Sequence, residues 1–281
     1  MLDLSVIILA KNEELHIRRC LENILPAAKE VFVIDCFSTD NTAAICREYP
    51  RVQVLQHEWP GLYAPQFNWA LDHCPITTAW VLRLDADEWF MPEALEELKE
   101  KLPALPPDVT RVIHKRRHIL GRWMKHGVYP VKLLRLFRHG AARCEQRHMD
   151  EHMELSRGRA VEFEHDFVDE NLNGLGWWAH KHVDYSAREL ADLEDILSSA
   201  AADSGINGQA ERKRAMKERY ARQPLFWRSF AYFCYRYFLK LGFLDGREGF
   251  LWHFMQGWWY RTLVDARQFE KQKKGSGKTA R

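Results

Sequence analysis

Two aspartates one residue apart, Asp85 and Asp87, directly follow a short apolar run of the chain. On an extended backbone, residues two apart point to the same side, so the two carboxylates repel each other unless a cation lies between them. Hard divalent cations such as Mg²⁺ and Mn²⁺ take oxygen ligands and bridge to the oxygens of a diphosphate. The pair therefore predicts a Mg²⁺ or Mn²⁺ site, with a solvated acidic turn as the alternative interpretation.

Polar residues that follow two other apolar runs extend this candidate site. Lys11 and Glu13 come directly after residues 4–10, and Asp35 ends residues 31–35. Both runs read as buried strands, and in a parallel α/β sheet ligands bind beyond the carboxyl ends of the strands. Three strand ends that carry carboxylates therefore predict one binding site at a common edge. A cap for its own turn is the alternative role of Asp35.

The spacing of the apolar runs predicts the α/β class with a mostly parallel sheet. Strand-like and helix-like segments alternate every 20–30 residues, which is typical of repeated strand–helix units. Asn12 is expected to cap the first helix, with Glu13 and Glu14 in its first turn. The other predicted strands are 52–55 and 80–84, and the other predicted helices are 42–49, 67–73, 185–200 and 211–221.

Composition and motifs disfavour several function classes. A formal net charge of +2 gives no whole-chain argument for nucleic acid as a partner. The absence of G-x-G-x-x-G and of G-x-x-x-x-G-K-[ST] disfavours a dinucleotide site and a P-loop. The six cysteines lack zinc-site spacing, so we expect buried, reduced thiols. No window of about 18 apolar residues is free of charge, so no transmembrane helix is expected.

A basic segment, residues 111–148, interrupts this balanced charge. It contains eleven Lys or Arg and one acidic residue, Glu145. Such a run favours a local anionic partner, here the phosphates of an acceptor lipid or of a glycan core. Outward-facing side chains of strands are the alternative explanation.

An aromatic segment, residues 225–269, has a different composition. Between Phe226 and Tyr260, fifteen of 35 residues are Phe, Trp or Tyr, with charges interspersed. Amphipathic helices that carry both aromatic and basic side chains bind at the membrane interface. The segment therefore predicts contact with an anionic membrane surface. A protein core or a dimer contact is the alternative. The residues expected at the interface are Trp227, Trp252, Trp258, Trp259, Arg228, Arg236, Lys240 and Arg261.

Three ordered motifs resemble the N-terminal signatures of the inverting family 2 glycosyltransferases, which have the GT-A fold. They are S-V-I-I-L-A-K-N-E-E, V-I-D-C-F-S-T-D-N-T and L-R-L-D-A-D-E, and the likeness covers roughly residues 4–190. Within that family the chain is similar to enzymes of lipopolysaccharide core and colanic-acid-type exopolysaccharide assembly, in part through L-G-F-L-D-G-R-E-G-F. The resemblance implies a GT-A fold, a nucleotide-sugar donor, a divalent cation and a surface glycan or glycolipid acceptor.

The resemblance also assigns roles at the strand ends. Two positions depart from the family pattern, because Lys11 replaces a tyrosine and Phe37 stands where many members have glycine. These departures leave the identity of the base open. By resemblance, the donor would be held by Leu9, Ala10, Lys11, Glu13, Asp35, Asp85 and Ala86, and the metal would be ligated by Asp87, with Asp85 beside it.

Inverting transfer needs a base that deprotonates the acceptor hydroxyl. Family members carry an acidic residue about 60 residues after the metal motif, where this chain has Asp150 and Glu151. By resemblance Glu151 is the candidate base and Asp150 the reserve, with a surface acidic cluster as the alternative. His165 matches a histidine near the metal or diphosphate, and Lys181 with His182 could meet the donor phosphates; structural roles are the alternatives.

Together these observations predict a metal-dependent inverting glycosyltransferase that uses a nucleotide-sugar, UDP-sugar favoured, and is peripheral on the inner face of the cell membrane. The alternatives are a sugar nucleotidyltransferase and a non-catalytic, membrane-associated binding protein with a transferase-like domain. The predicted divisions are a catalytic domain 1–190 (donor half 1–103, acceptor half 104–190), a helical connector 191–224 with a mobile loop at 203–208, the aromatic segment 225–269 and a disordered tail 270–281.

Overall fold

The chain forms two compact units in a computed structural model that describes residues 1–145, 153–155, 158–198 and 209–276. The first, called the sheet unit, comprises Met1–Trp123 and Tyr129–Leu172. The second, called the helical unit, comprises Met124–Val128 and Asn173–Arg281. The predicted mobile loop at 203–208 lies outside the described residues.

The sheet unit alternates strands and helices in its first half and then continues mostly in strands. Its helices are α1 (Ile17–Ile24), α2 (Thr42–Arg47), α3 (Tyr63–His73) and α4 (Pro92–Lys101). Its strands are β1 (Leu4–Ala10), β2 (Glu30–Asp35), β3 (Val52–Gln56), β4 (Trp80–Asp85), β5 (Glu88–Phe90), β6 (Val109–His118), β7 (Val131–Arg138), β8 (Ala142–Cys144), β9 (Met153–Leu155) and β10 (Arg159–Asp169).

An eight-stranded sheet in the order β3-β2-β1-β4-β7-β6-β10-β5 is the body of this unit. The strands β3, β2, β1 and β4 are parallel neighbours, which confirms the parallel sheet predicted from the alternating pattern. Beyond β4 the sheet is mixed, because β7 is antiparallel to both β4 and β6, while β6 and β10 are parallel. As a result, β1, β2, β4, β6 and β10 all end at one edge, called the carboxyl edge.

Strand β1 is buried on both faces, which explains its unbroken apolar run. Val6 and Ile8 belong to the core cluster that includes Leu21 of α1. Ile7 belongs to the opposite cluster, which includes Phe67 of α3. Because successive side chains of a strand point to opposite faces, one seven-residue run supplies both core layers.

The first loop differs from its prediction. Asn12 does not cap a helix, because its backbone φ is +56° and its side chain accepts a hydrogen bond from the backbone N–H of Thr39 at 2.8 Å. Asparagine tolerates this left-handed conformation better than most residues. Helix α1 begins only at Ile17, so Asn12 instead links the loops that follow β1 and β2.

The helical unit is made of helices and short helical turns. None of the helices in its described part, or in the sheet unit, combines the length and apolar character needed to cross a bilayer. Its elements are α5 (Leu175–Ser198), α6 (Gln209–Ala221), α7 (Trp227–Cys234), a π-helical turn (Tyr235–Leu239), a 3₁₀ turn (Gly242–Asp245), α8 (Gly246–Trp252), a second π-helical turn (His253–Trp259) and α9 (Tyr260–Ser276).

Two predicted divisions of the chain fall inside helices. The boundary expected at 190 lies within α5, because Leu193 of that helix packs with Val264 of α9 in the core of the helical unit. The tail expected to be disordered from 270 is helical as far as Ser276. The units themselves divide after Leu172.

Three arginines expected at a membrane surface lie inside the helical unit, which corrects that prediction. Arg228 forms an ion pair with Asp265 at 2.6 Å, and both side chains are 1% exposed. Arg236 is also buried, and Arg261 reaches Glu189 at 3.3 Å. Arg228 and Arg261 are thus compensated by carboxylates within the fold, which buried charges need, and Arg236 lies over the ring of Tyr232.

The motif L-G-F-L-D-G-R-E-G-F forms a tightly packed turn in the same unit. Asp245 accepts hydrogen bonds from the backbone N–H of His126 at 2.8 Å and from the His126 ring at 2.7 Å. The ring of His253 lies so close to Gly127 and Gly242 that a Cβ at either position would be 2.3 Å from it. The motif therefore fixes residues 124–128 to the helical unit.

Candidate active site

The carboxyl edge brings together strand ends that the sequence singles out. In the register of the sheet, Ala10 of β1 lies opposite Asp35 of β2, and Leu9 lies opposite Asp85 of β4. Adjacent strands are about 4.8 Å apart, so these residues line one continuous stretch of the edge. The predicted grouping of three strand ends is therefore present in the fold.

Asp85 is held by hydrogen bonds to both of its carboxylate oxygens. The Tyr63 hydroxyl donates to Oδ1 at 2.9 Å, and Nη2 of Arg135 donates to Oδ2 at 2.8 Å. Arg83 lies 3.8 Å from the centroid of the Tyr63 ring, and its Nε donates to the Tyr63 hydroxyl at 2.9 Å. Burial opposes ionisation of Asp85, but Arg135 and Arg83 outweigh it and lower its pKa to about 2. The carboxylate is therefore ionised and fixed in orientation.

Glu88 shares the guanidinium of Arg135 with Asp85. It is 1% exposed, accepts a hydrogen bond from Nη2 of Arg135, and accepts another from the backbone N–H of Asp85 at 3.0 Å. Burial raises the pKa of Glu88 to about 7, with Arg135 acting against this change and Asp85 adding to it. One buried cation thus serves two carboxyl groups and reduces their mutual repulsion.

Asp87 is oriented by a different part of the chain. Nδ2 of Asn171 donates to its Oδ2 at 3.0 Å. Its backbone carbonyl accepts hydrogen bonds from the backbone N–H of Glu170 at 3.1 Å and from Nη2 of Arg19 at 3.3 Å. The two aspartates of the D-A-D string are therefore positioned by separate sets of contacts.

A further charged group lies where β6 and β10 end. Asp169 is 3.3 Å from Arg116 and 3.3 Å from the His118 ring. Burial opposes ionisation of Asp169, but His118 and Arg116 hold its pKa well below the usual range. Arg116 also approaches Glu88 at 3.4 Å, so this group continues the one around Asp85.

Asp35 caps the turn that follows it, which is the alternative role given to it in the sequence analysis. Its Oδ1 accepts the backbone N–H of Ser38 at 3.1 Å, and its Oδ2 accepts Nε2 of Gln56 at 3.1 Å. The side chain is fully buried. Each carboxylate oxygen has two lone pairs, so these bonds leave acceptor capacity for a hydroxyl of a ligand.

The other predicted donor contacts occupy the loop after β1. Ala10 is buried, Leu9 is half-buried and Lys11 is exposed. Glu13 pairs with Nδ1 of His16 at 2.6 Å. These residues lie at the predicted edge, and their roles toward a donor remain predictions, as does that of the buried Ala86.

His165 lies on β10, and its role as a metal ligand stays a prediction. It is exposed, and its backbone N–H donates to Glu97 of α4 at 2.9 Å. It precedes Asp169 by four residues on β10, which corresponds to about 13 Å along a strand. Within the described residues, no group of three or more His, Cys, Asp or Glu is arranged to hold a metal ion.

The remaining predicted residues lie elsewhere in the chain. Lys181 belongs to α5 of the helical unit, 4.6 Å from the centroid of the Trp177 ring, and its donor role stays a prediction. His182 is buried and stacks on Trp178 at 3.5 Å, so it is a packing residue and not a phosphate ligand. Asp150 and Glu151 lie outside the described residues.

Much of the charge in the basic segment is compensated within the sheet unit. Arg117 pairs with Asp166, and Lys132 pairs with Glu162 at 2.6 Å. Arg135 is among the buried residues described above. Other basic residues, such as Arg122 and Lys125, are exposed, so contact of the segment with an anionic acceptor stays a prediction.

Several residues of the site escaped the sequence analysis. The signal available was a charged residue inside an apolar run, as in V-L-R-L-D and L-L-R-L-F, because buried charges need partners. A charged residue in such a run is expected to have a buried partner, but the sequence does not identify which residue that partner is. The residues missed are Tyr63, Arg83, Arg116, Arg135, Glu88 as a site residue, and Asn171.

The chemistry of this edge fits a hard divalent cation. Asp87 offers carboxylate oxygens with an orienting hydrogen bond from Asn171, the kind of outer contact that supports metal ligands. Asp85 is ionised beside it. Mg²⁺ and Mn²⁺ are commonly bound through one or two carboxylates plus substrate phosphates and water. Asp87 and Asp85 are therefore the residues that would hold such an ion, together with a diphosphate.

Comparison with known proteins places the chain in a family. The sequence profile of Glycosyl transferase family 2 matches residues 5–151, which is more than half of the chain. The chain therefore belongs to Glycosyl transferase family 2 and is a glycosyltransferase. The family and enzyme class predicted from the three motifs are confirmed.

Individual relatives agree with this placement. The chain is 32% identical over 149 residues to the lipopolysaccharide core biosynthesis glycosyltransferase LpsC of Rhizobium meliloti, covering 51% of this chain and 54% of LpsC, about half the length of that relative. It is 26% identical over 257 residues to an uncharacterized glycosyltransferase of Rickettsia typhi, covering 85% of this chain and 79% of the relative. The crystal structure of S. aureus TarS matches with a TM-score of 0.50 and 14% identity, covering 88% of this chain and 75% of TarS. These findings confirm an α/β fold of the GT-A type with a helical C-terminal region.

Proposed function

We propose that this enzyme transfers a sugar from a nucleotide-sugar, UDP-sugar favoured, to a lipopolysaccharide or surface-polysaccharide acceptor with inversion at the anomeric carbon. The observation that carries the proposal is that Asp35 and Asp85 end the strands on either side of β1 at the carboxyl edge of a family 2 chain, with Asp87 two residues beyond Asp85. The similarity to LpsC, whose name specifies lipopolysaccharide core biosynthesis, supports this acceptor class.

The residues at the edge have distinct tasks in the proposed reaction. Asp35 and the loop after Ala10 bind the base and ribose, while Asp85, held by Tyr63 and Arg135, orients the donor. Mg²⁺ or Mn²⁺ held by Asp87 would neutralise the charge of the departing nucleoside diphosphate. Because both aspartates are already fixed by hydrogen bonds, little reorganisation is needed when the donor binds.

Glu151 is proposed as the base, with Asp150 in reserve. It takes the proton of the acceptor hydroxyl as that oxygen attacks the anomeric carbon and the bond to the diphosphate breaks. A single displacement of this kind converts an α-linked donor into a β-linked product.

Two other functions are less well supported. A sugar nucleotidyltransferase needs a glycine-rich, arginine-containing loop after its first strand, and residues 10–13 read A-K-N-E. A non-catalytic binding protein would not need the two aspartates to be oriented by separate hydrogen-bond sets. Membership in a transferase family also favours catalysis.

The donor and metal assignments predict a specific pattern of ligand-induced stabilisation. A nucleoside diphosphate that binds only the folded state raises the melting temperature by mass action. We expect UDP or a UDP-sugar to raise it with Mn²⁺ present, and to have little effect in EDTA or in Asp87→Ala. The measurement is a thermal-shift screen of UDP-, GDP- and dTDP-sugars. Equal shifts with and without metal would contradict metal dependence, and no shift with any nucleotide would contradict the donor class.

The proposed base predicts a loss of turnover without a loss of donor binding. Glu151→Gln should lower kcat about a hundredfold or more, a typical general-base contribution, while the Kd for UDP is unchanged. Asp150→Asn is the matched control and should have a small effect. If Asp150→Asn is the damaging change and Glu151→Gln is mild, the base is Asp150; if both variants are active, the base lies elsewhere.

We further infer that the enzyme works on the inner face of the cell membrane, attached by the apolar tip, defined as residues 238–244. Exposed apolar side chains are concentrated there, with Leu239 76% exposed and Leu244 51% exposed. The rings of Phe238 and Phe243 both lie near Tyr237, at 5.1 and 6.3 Å, so the tip is one continuous surface.

The charges beside the tip favour anionic lipid over a second copy of the chain. Lys240 and Arg247 are exposed there, whereas Asp245 is buried against His126 and Glu248 is half-buried. A two-fold contact would place this positive surface against itself, which is unfavourable. Apolar side chains with neighbouring cations are the composition that binds the interface of an anionic bilayer.

Replacing the tip should release the protein from lipid. We expect the full chain to float with anionic liposomes, less so at high salt, and expect Leu239→Gln/Leu244→Gln to remain in the soluble fraction. The control Met216→Gln/Phe269→Gln alters two side chains of comparable exposure, 64% and 51%, and should float like the wild type. Equal flotation of all three would place the contact elsewhere. A wild-type dimer that the tip variant dissociates would identify a second copy as the partner.

A further inference from the structure

Phe37 occupies a backbone conformation that is unfavourable for phenylalanine. It lies two residues beyond the end of β2, has a φ of +53°, and is 53% exposed. Glycine adopts this left-handed conformation without steric conflict, and it is the residue that many members of the resembling family carry here. Among the described residues, the Phe37 ring belongs to neither core cluster of the sheet unit. Neither the backbone nor the core therefore accounts for an aromatic ring at this position.

The loop that carries Phe37 is held firmly at the carboxyl edge. The backbone N–H of Asn12 donates to Oγ of Ser38 at 2.9 Å, and the backbone N–H of Thr39 donates to Oδ1 of Asn12 at 2.8 Å. Asp35, two residues before Phe37, is fixed by Ser38 and is fully buried. The ring is thus attached to a positioned loop, two residues beyond a carboxylate proposed to bind the ribose. Strained residues of this kind tend to be retained at binding sites.

We propose that Phe37 is a stacking platform for the nucleobase of the donor nucleotide. A half-exposed aromatic ring offers one face to a flat partner, and every nucleobase has a π-face that stacks on such rings. The inference rests on the proposed function, because it requires a nucleotide at the carboxyl edge. It also explains why an aromatic side chain stands at a position where glycine is the less strained choice.

The proposal separates the effects of Phe37 on binding and on folding. Replacing Phe37 with glycine removes the stacking surface and the unfavourable conformation together. Nucleotide affinity should therefore fall without a corresponding fall in the melting temperature. Phe37→Leu keeps apolar bulk but lacks a flat face, so its affinity should fall as well, whereas Phe37→Trp should retain affinity.

The experiment is isothermal titration of UDP with Mn²⁺ into the full-length protein and its variants, alongside their melting temperatures. We expect roughly tenfold weaker binding for Phe37→Gly, a change of the size that base stacking supplies. Phe226→Gly is the matched control, because Phe226 has a φ of +66°, is 42% exposed and belongs to the helical unit. Its UDP affinity should equal that of the wild type.

Each result distinguishes this inference from the proposed function. Unchanged UDP affinity in both Phe37→Gly and Phe37→Leu overturns the stacking role while the donor class stands. A loss that appears with a UDP-sugar but not with UDP assigns the ring to the sugar and overturns the base assignment. If the wild type binds no nucleoside diphosphate, the proposed function fails and this inference fails with it.

Discussion

The guanidinium of Arg135 is the buried charge on which the carboxyl edge depends. It is nearly inaccessible to solvent and donates to both Asp85 and Glu88. Removing an ion from water has an effective cost of several kcal/mol, and removing one partner of such a group leaves the others uncompensated. Asp85 can remain ionised at this depth because Arg135 lies against it, with Arg83 nearby. The orientation of Asp85, the first aspartate of the D-A-D string, therefore depends on an ion pair between β4 and β7.

The mixed half of the sheet explains how this pairing arises. Strand β7 is antiparallel to β4 and brings Arg135 against the end of that strand. The chain then returns along β10, and the residues just beyond it hold Asp87 through Asn171. The two aspartates thus come from the first half of the unit, while Arg135 and Asn171, which bond to their carboxylates, come from the second.

The parallel half of the fold could be predicted because its signal is local. The run Leu4–Ala10 is apolar throughout since β1 is buried on both faces, and the carboxylates after each such run mark the edge. Asp35 and Asp85 could therefore be placed before the structure was known. Their positions required only the alternation of strands and helices, together with the rule that parallel strands end at one edge.

The features that the sequence did not predict depend on contacts between residues that are distant in sequence. Net charge suggested that the basic segment faces an acceptor, whereas Arg117 pairs with Asp166, about 50 residues later on β10. The arginines of the aromatic segment were misread for the same reason, as the buried pair of Arg228 with Asp265 illustrates. A sequence reveals a charge, but only the fold reveals whether a partner neutralises it.

The most direct test of this account is the free energy of unfolding of Arg135→Met, measured by urea denaturation beside Arg143→Met. Arg143 pairs with Asp72 at 2.7 Å, but both side chains are about half exposed. We predict a loss of about 3–5 kcal/mol for Arg135→Met, as expected when one member of a buried ion group is removed. Arg143→Met should lose at most about 1 kcal/mol, as for an exposed pair. Adding Asp85→Asn and Glu88→Gln to Arg135→Met should recover part of the loss, because the two carboxylates that Arg135 pairs with are then neutral. A loss for Arg135→Met no larger than that of Arg143→Met would contradict the account.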